Sequence, residues 1–136
     1  MTSERGTTGR EGRVASGGYE QLIDWQRGIA LVKQLYLLTD RFPTEEKFGL
    51  TAQIRRAAVS VPSNIAEGQA RHTTREFIRF VSNAEGSIAE LDTQLRIAAE
   101  LDYCTKDDVA PIVEELTQLR KMLNALRRGL ANKTST

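Results

Sequence analysis

The apolar residues of this chain recur at alternating intervals of three and four positions from about residue 19 to the C-terminal region. This interval is the period of an amphipathic α-helix, because residues three or four apart lie on the same helical face. No segment shows the strict alternation that is typical of a half-buried β-strand. The spacing therefore predicts an all-α fold, and a length of 136 residues suits a single domain.

Two helices are predicted in the first half of the chain. The first covers about residues 19–41 and ends at Phe42, because the residue before a proline is pushed out of the helical region. Its expected inner face consists of Leu22, Trp25, Ile29, Val32, Tyr36 and Thr39. The second covers about residues 45–67, with an expected kink at Pro62 and Gly68 as its C-terminal cap. Its expected inner face consists of Leu50, Ile54, Ala57 or Ala58, Val61 and Ile65.

Two further helices are predicted in the second half. The third begins at Thr73 or Thr74, where a threonine cap precedes Glu76, and it ends near Asp102. Its apolar face consists of Phe77, Val81, Ala84, Ile88, Leu91, Leu95 and Ala98. The fourth begins after a cap at Thr105 and carries two seven-residue series, which are Val109, Leu116, Leu123 and Leu130, and Ile112, Leu119 and Leu126. Short connections force neighbouring helices to run antiparallel, so the chain predicts an up-down four-helix bundle.

The bundle is predicted to occupy residues 19–131. Residues 1–18 contain five of the ten glycines and few apolar residues, so we expect a disordered N-terminal tail. Residues 132–136 are expected to form a disordered C-terminus. No apolar run is long enough to cross a bilayer, and the N-terminus lacks the apolar core of a signal peptide. We therefore expect a cytoplasmic protein without membrane contact.

The composition excludes most catalytic and metal-binding chemistry. The chain has one cysteine, Cys104, and one histidine, His72, so it cannot form an intrachain disulfide or a metal site built from several thiolates. These two residues supply no pair of nucleophile and base, and the acidic neighbours of Cys104 oppose thiolate formation. Only carboxylate chemistry stays formally open. We expect no enzymatic activity, no metal and no cofactor.

The small net charge of +1 hides a strong separation of charge along the chain. Residues 85–115 carry nine acidic and two basic residues, whereas residues 116–136 carry five basic and no acidic residues. In an antiparallel bundle, the start of the third helix lies beside the end of the fourth. One end is therefore predicted to gather Arg71, Arg75, Arg79, Arg120, Lys121, Arg127 and Arg128. The other end is predicted to gather Asp40, Glu45, Glu46, Glu100, Asp102, Asp107 and Asp108.

A cluster of cations is typical of a surface that binds nucleic-acid phosphates. The alternative is an ordinary solvated face, and basic residues near the end of the fourth helix also stabilise its dipole. Arg55 and Arg56 point about 100° apart on a helix, so both cannot face the core. One of them is expected to pair with a carboxylate at a subunit contact, and the other is expected to face the channel of an oligomeric ring or a phosphate.

Several residues of the first three helices have competing structural and functional interpretations. Asn64 and Glu67 follow Pro62 and are expected to bind the backbone groups that the proline frees, or alternatively to form part of a polar site. Gly86, in the middle of the third helix, indicates a close approach of another helix. Trp25 is expected in the core or at a subunit interface.

One stretch of the chain carries a specific resemblance to a known family. It reads GLTAQIRRAAVSVPSNIAEG over residues 49–68. The same pattern includes Trp25-Gln26, Phe42-Pro43, Phe77, Phe80, Gly86-Ser87, Glu90-Leu91, Gln94-Leu95 and Leu101-Asp102-Tyr103. The chain resembles the bacterial 23S rRNA intervening-sequence protein family over about residues 20–130. The resemblance implies a small cytoplasmic four-helix bundle that assembles into a homopentameric ring.

Two functional hypotheses follow from the resemblance and the charge pattern. The leading one is a non-enzymatic homo-oligomer, a pentamer, whose ring concentrates the basic ends of its subunits and binds RNA or DNA. The alternative is a protein-binding adaptor, because a similar bundle is the accessory variability protein that partners a retroelement reverse transcriptase. The candidate nucleic-acid-binding residues are Arg55, Arg56, Arg71, Arg75, Arg79, Arg120, Lys121, Arg127 and Arg128. The candidate structural or interface residues are Trp25, Pro62, Asn64, Glu67, Gly68 and Gly86.

Overall fold

The computed structural model describes residues 18–19 and 22–134, which form four α-helices joined by short connections. The elements are α1 (Ile23–Thr39), a 3₁₀ turn (Thr44–Glu46), α2 (Leu50–Gln69), α3 (Thr74–Glu100) and α4 (Lys106–Thr134). No strand occurs among these residues. The predicted all-α four-helix fold is confirmed.

The predicted limits of the bundle differ slightly from the observed ones. Most of the expected N-terminal tail, residues 1–17, lies outside the described residues, as do residues 135–136. The fourth helix continues to Thr134, so the expected C-terminal limit at residue 131 was too early.

Consecutive helices pack against each other, and α4 returns to pack against α1. Because the connections are short, neighbouring helices run antiparallel. The α2–α3 connection, residues 70–73, therefore lies at one end of the bundle, which we call the basic end. The α1–α2 connection, residues 40–49, and the α3–α4 connection, residues 101–105, lie together at the other end, which we call the acidic end.

The interior is filled by aliphatic side chains from all four helices. The largest fully buried ones are Leu31, Leu35, Ile54, Ile65, Leu91, Leu95, Leu119, Leu123, Val61 and Val81. The predicted inner faces of the second, third and fourth helices are confirmed, with Leu50, Phe77 and Leu126 partly buried at the edges. Both seven-residue series of α4 face this core, as their spacing predicts.

The predicted inner face of the first helix was only partly correct. Leu22, Trp25 and Val32 pack at the edge of the core and Thr39 is buried, as predicted. The stripe that faces the core directly, however, consists of Asp24, Gly28, Leu31, Leu35 and Leu38. From the predicted stripe, Ile29 is 47% exposed and Tyr36 is 41% exposed. Apolar residues occupy several sides of this helix, so the spacing alone allowed two choices of inner face. Packing on α2 and α4 selects the stripe of Leu31 and Leu35.

The start of α2 also differs from the prediction. The helix begins at Leu50 and not near Glu45, because Gly49 adopts φ −106° and ψ −115°, outside the helical region. Glu46 lies in the preceding 3₁₀ turn, and its Oε1 accepts a hydrogen bond from the Leu50 backbone N–H at 2.9 Å. The carboxylate therefore satisfies one of the free donors at the start of this helix.

Two predicted N-terminal caps are confirmed. The Thr73 hydroxyl accepts a hydrogen bond from the Glu76 backbone N–H at 3.1 Å at the start of α3. At the start of α4, the Thr105 hydroxyl accepts from the Asp108 N–H at 3.0 Å, and the Asp108 carboxylate accepts from the Thr105 N–H at 2.9 Å. This reciprocal pair is a capping box.

The two glycines singled out from the sequence have other roles than expected. Gly68 does not cap α2, which continues to Gln69 and ends with Ala70 in a right-handed conformation. A Cβ at Gly68 would lie 2.8 Å from Phe77 Cδ1 and 2.9 Å from Phe80 Cβ, so this glycine allows α2 and α3 to approach closely. Gly86 was expected to make such an approach, but no described atom lies within 4 Å of a Cβ placed there.

Candidate nucleic-acid interface

Three arginines surround the start of α3 at the basic end. Arg71 lies in the α2–α3 connection, whereas Arg75 and Arg79 lie one turn apart on α3. All three side chains are exposed. The predicted grouping of Arg71, Arg75 and Arg79 at one end is therefore observed.

The ring of Phe80 contacts two of these arginines. The guanidinium carbon of Arg71 lies 4.7 Å from the ring centroid, and that of Arg79 lies 5.1 Å from it. Both distances fall within the range of cation–π contacts. Phe80 itself is only 9% exposed, and its Cβ packs against Gly68. A buried aromatic ring therefore supports two exposed guanidinium groups.

Little negative charge within the subunit neutralises this group. Arg71 has a weak ion pair with Glu67, one turn away, at 3.8 Å between Nη2 and Oε2. Arg75 and Arg79 form no ion pair with the described residues. Like charges at positions i and i+4 repel each other, and cations near a helix N-terminus oppose the helix dipole. An anion at this surface would relieve both unfavourable interactions.

Arg127 of α4 does not join this group. Arg127 donates from Nε to Glu85 Oε1 at 2.7 Å and from Nη2 to Asn124 Oδ1 at 3.0 Å. The hydrogen bond that Arg127 donates to Glu85 raises the Arg127 pKa above its ordinary value. Because Glu85 follows Arg79 by six residues, Arg127 lies roughly 9 Å further along the bundle axis.

Arg120 and Lys121 lie still further from the basic end. They precede Arg127 by seven and six residues in α4, which places them roughly another 10 Å toward the middle of the bundle. Arg120 lines a groove between α3 and α4 together with Asp92 and Arg96. The expected cluster of seven cations is therefore not formed. Arg128 is exposed and has no ion pair in the described part of the chain.

Arg55 and Arg56 point in different directions, as two adjacent helical residues must, but Arg55 pairs within its own subunit, whereas the prediction placed this ion pair at a subunit contact. Arg55 lies near the acidic end, where its Nε donates to Thr39 Oγ1 at 2.9 Å and its Nη2 lies 3.3 Å from Asp40 Oδ1. Its guanidinium carbon is also 4.4 Å from the centroid of the Tyr36 ring. Arg55 therefore joins α1 to α2 within the subunit. Arg56 is exposed and unpaired with respect to the described residues.

The polar residues that follow Pro62 form a small interhelical network. Asn64 Nδ2 donates to both the backbone oxygen and the hydroxyl of Ser60 at 2.8 Å. The Ser60 hydroxyl in turn contacts the Ser87 hydroxyl of α3 at 2.7 Å. Asn64 therefore binds a backbone oxygen, but it is that of Ser60 and not that of Ala58, which is the acceptor that Pro62 leaves without its usual donor. The Glu67 carboxylate faces Arg71.

Trp25 lies on an apolar groove between α1 and α2. Its ring is 5.4 Å from that of Tyr19, and it packs against the edge of the core. The groove has a volume of about 360 Å³ and is lined by Tyr19, Trp25, Ile29, Val32, Val59, Pro62, Ser63 and Ala66. Pro62 is buried at its base, where Gly28 allows α1 to approach. These residues form an open apolar surface on the outside of the bundle.

The remaining reactive residues lie at opposite ends of the bundle. Cys104 is buried in the α3–α4 connection, and burial followed by the charge of Asp108 raises its pKa above the ordinary thiol value. His72 is exposed at the basic end. In the described ranges, no three His, Cys, Asp or Glu side chains come together as metal ligands. None of the helices in these ranges is long and apolar enough to cross a membrane.

The aromatic support at Phe80 is the feature that sequence reasoning missed. The apolar spacing of α3 indicated only that Phe77 and its neighbours face the core. A usable signal was present in the spacing of Arg71, Arg75 and Arg79, which are four residues apart and next to Phe80. That spacing places successive arginines on one side of the helix start.

Comparisons with known proteins agree with this architecture. The sequence model of the family described as 23S rRNA-intervening sequence protein matches residues 20–125. A similar solved structure is the crystal structure of a protein of unknown function from the S23 ribosomal protein family of Bacteroides thetaiotaomicron. It has 18% sequence identity and a TM-score of 0.70, and the alignment covers 77% of this chain and 98% of that one. No curated protein matches the chain. The family match spans most of the bundle, and the chain belongs to the 23S rRNA-intervening sequence protein family.

Proposed function

We propose that this protein is a non-enzymatic homo-oligomer that binds RNA or DNA through the basic ends of its subunits. The observation that carries the proposal is the difference between paired and unpaired arginines. Arg27 and Arg127 form close ion pairs with Glu115 and Glu85 at 2.6 and 2.7 Å. Arg75 and Arg79 have no such partner among the described residues, so their charge remains available for phosphate groups.

The outer surface of α1 supports the oligomeric part of the proposal. Ile23, Ile29 and Leu37 are 63%, 47% and 62% exposed, and Val59 of α2 is 42% exposed beside the groove. A helix that is apolar on most sides is normally buried. A second copy of the chain that covers this surface would bury these side chains. A pentamer is the state that the family resemblance implies.

Assembly would also increase the affinity for a polyanion. One basic end offers only a few unpaired cations, which is a small footprint for nucleic acid. Several copies held in one ring bind the same strand at high effective concentration, so the affinity of the ring exceeds that of a single subunit. Disrupting the α1 surface should therefore weaken binding without removing any arginine.

The oligomer is tested by light scattering after size-exclusion chromatography on nuclease-treated protein. The wild type is expected to elute with the mass of about five subunits, and Ile29→Glu is expected to elute as a monomer. A matched control is Ile97→Glu on α3, because Ile97 is 44% exposed and lies away from the groove. A monomeric wild type would contradict the oligomeric part of the proposal.

Nucleic-acid binding is tested by fluorescence anisotropy with a labelled oligonucleotide over a range of salt concentrations. Replacing Arg75 and Arg79 together by glutamate is expected to weaken binding by at least roughly tenfold and to reduce the salt dependence. The control replaces Lys47 and Lys106, which are exposed at the acidic end, and produces the same change in net charge. Equal losses in the two double variants would show a general charge effect and contradict the site. A protein partner retained after nuclease treatment, without nucleic-acid affinity, would favour the adaptor instead.

A further inference from the structure

The contacts of Phe80 restrict the positions of two guanidinium groups. Arginine side chains are long, and an exposed one loses considerable rotamer freedom when it is fixed by a ligand. Here the guanidinium carbons of Arg71 and Arg79 are already held at 4.7 and 5.1 Å from one ring centroid. Because both groups contact the same ring, they lie within about 10 Å of each other. The two cations are therefore neighbours before any ligand arrives.

The ring that holds them is itself fixed. Phe80 is 9% exposed, and it packs where Gly68 allows α2 to approach α3. A Cβ at Gly68 would lie 2.9 Å from Phe80 Cβ, so the absence of that atom is what leaves room for Phe80. The family motif that ends in Gly68 thus determines the position of the aromatic support. It does so without contacting a ligand.

Burial of Phe80 also restricts the kind of contact that this surface can make. Its ring lies beneath guanidinium groups and cannot serve as an open platform on which a base stacks. Guanidinium groups match the geometry of phosphate oxygens and form bidentate hydrogen bonds with them. The arrangement suits a phosphodiester backbone and carries no base recognition through Phe80.

We propose that Arg71, Arg75 and Arg79 form one preorganised site for consecutive phosphodiester groups of a single nucleic-acid strand, with Phe80 as the positioning residue. The inference rests on the proposed nucleic-acid function and assigns its contact site. Arg75 lies between the two supported arginines in sequence and supplies a third positive charge, which has no ion pair among the described residues. Preorganisation raises affinity because less side-chain freedom is lost on binding.

The decisive variant is Phe80→Leu, which keeps every charge but removes the ring. We expect its affinity for a labelled single-stranded oligonucleotide of mixed sequence to fall by roughly five- to thirtyfold, because the two guanidinium groups then lose their rotamer freedom only when the ligand binds. The salt dependence should not change, because the number of cations is the same. By contrast, Arg75→Gln is expected to lower the salt slope by about one.

Phe42→Leu provides a matched control. Phe42 is 7% exposed and contacts Tyr103 at the acidic end, so this variant makes the same chemical change at nearly the same burial. Its affinity is expected to equal that of the wild type, and Phe80→Tyr is expected to restore most of the affinity lost in Phe80→Leu. Should Phe80→Leu fail to fold, Phe80→Met also removes the ring and keeps every charge, and its flexible apolar side chain adapts to the space that is left. This variant is expected to show the same loss.

The possible outcomes separate the inference from the function on which it rests. If wild-type protein binds no oligonucleotide, both proposals are wrong. If it binds, and the glutamate double variant does not, but Phe80→Leu binds as tightly as Phe42→Leu, only the role of Phe80 is wrong. Displacement of the oligonucleotide by millimolar inorganic phosphate, compared with chloride at equal ionic strength, would assign the site to the free anion and overturn the strand assignment.

Discussion

The two ends of the bundle are held together by different interactions. At the acidic end, the Tyr103 hydroxyl donates to Glu46 Oε2 at 2.7 Å and joins the two connections. Arg41 pairs with Asp108 at 3.0 Å at the same end. At the basic end, the helices meet through the close contact of Gly68 with two phenylalanines, and the arginines lie outside that contact. Polar side chains link the connections at the acidic end in addition to apolar packing, whereas apolar packing alone joins α2 and α3 at Gly68.

This difference shows why the charge of a region is a poor measure of its binding capacity. Arg55 and Arg127 count as cations in the sequence, but hydrogen bonds to Thr39 and Glu85 already engage them. The basic end contains fewer cations than the sequence pattern suggested. Two of its three arginines, Arg75 and Arg79, nevertheless have no ion pair with the described residues. The packing at Gly68 makes this possible, because it stabilises the end without using a charged side chain.

The packing at the basic end is broken most directly by Gly68→Ala. Alanine favours helices over glycine by about 1 kcal/mol, but the added methyl would meet Phe77 and Phe80 at distances that require atoms to move. Overpacking of this kind costs about 1–3 kcal/mol, and Phe80 Cβ is tied to the backbone and cannot move alone. We expect a net loss of stability in urea unfolding followed by circular dichroism.

The companion variant Gly86→Ala shows what alanine does where space is available. No described atom lies within 4 Å of a Cβ at Gly86, so only the helix preference remains. We expect a gain of roughly 0.5–1 kcal/mol in the unfolding free energy of the isolated subunit. If both variants gave the same gain, the close contact at Gly68 would not exist in solution.

These two glycines also show where prediction from the sequence succeeds and where it fails. Both interrupt a helical pattern, and nothing in the local spacing distinguishes a glycine that faces a neighbouring helix from one that faces solvent. The helices, their caps at Thr73 and Thr105 and the core faces of α2, α3 and α4 depend on intervals of three, four or seven residues. Such intervals are visible in the sequence.

Features that depend on the register between helices were not predictable. The first helix has apolar residues on several sides, so the core-facing choice of Leu31 and Leu35 over Ile29 and Tyr36 is decided by its neighbours. Similarly, the pairing of Arg127 with Glu85 depends on how α3 and α4 are aligned. The sequence therefore predicted that Arg71, Arg75 and Arg79 belong to the candidate site. It did not predict that Phe80 supports two of them.

A matched pair of arginine variants sharpens the contrast between the ends. Arg55→Ala removes a hydrogen bond to Thr39, whose hydroxyl is buried, and an ion pair with Asp40. We expect a loss of about 1 kcal/mol in unfolding free energy. Arg75→Ala is expected to change stability by less than about 0.5 kcal/mol, since Arg75 has no described partner.

Oligonucleotide binding should reverse the order of these two variants. Arg75→Ala is expected to weaken binding, and Arg55→Ala is expected to leave it unchanged in the same anisotropy assay. A loss of affinity in Arg55→Ala without any loss of stability would place the ligand at the acidic end. That result would contradict the division between the ends.

The smallest expected effect concerns how the stability of the fold depends on pH, because carboxyl groups at the two ends contribute with opposite sign. Hydrogen bonds from Leu50 and Tyr103 lower the pKa of Glu46, and those from Thr105 and Arg41 lower the pKa of Asp108. Both carboxylates therefore stabilise the fold when ionised. Their contribution is present above the ordinary carboxyl range near about pH 4 and is lost as the pH falls through the lowered folded values.

Asp24, in the first turn of α1 at the basic end, behaves in the opposite way. Burial raises its pKa, so the ionised form destabilises the fold at neutral pH, and the penalty disappears as the pH falls through the raised value. Asp24→Asn should therefore increase the melting temperature at pH 7 and lose this advantage in acid. Glu46→Gln should lower the melting temperature at pH 7 and converge with the wild type in acid. If the melting temperatures of the two variants changed with pH in the same way, the opposite pKa shifts of Asp24 and Glu46 would be contradicted.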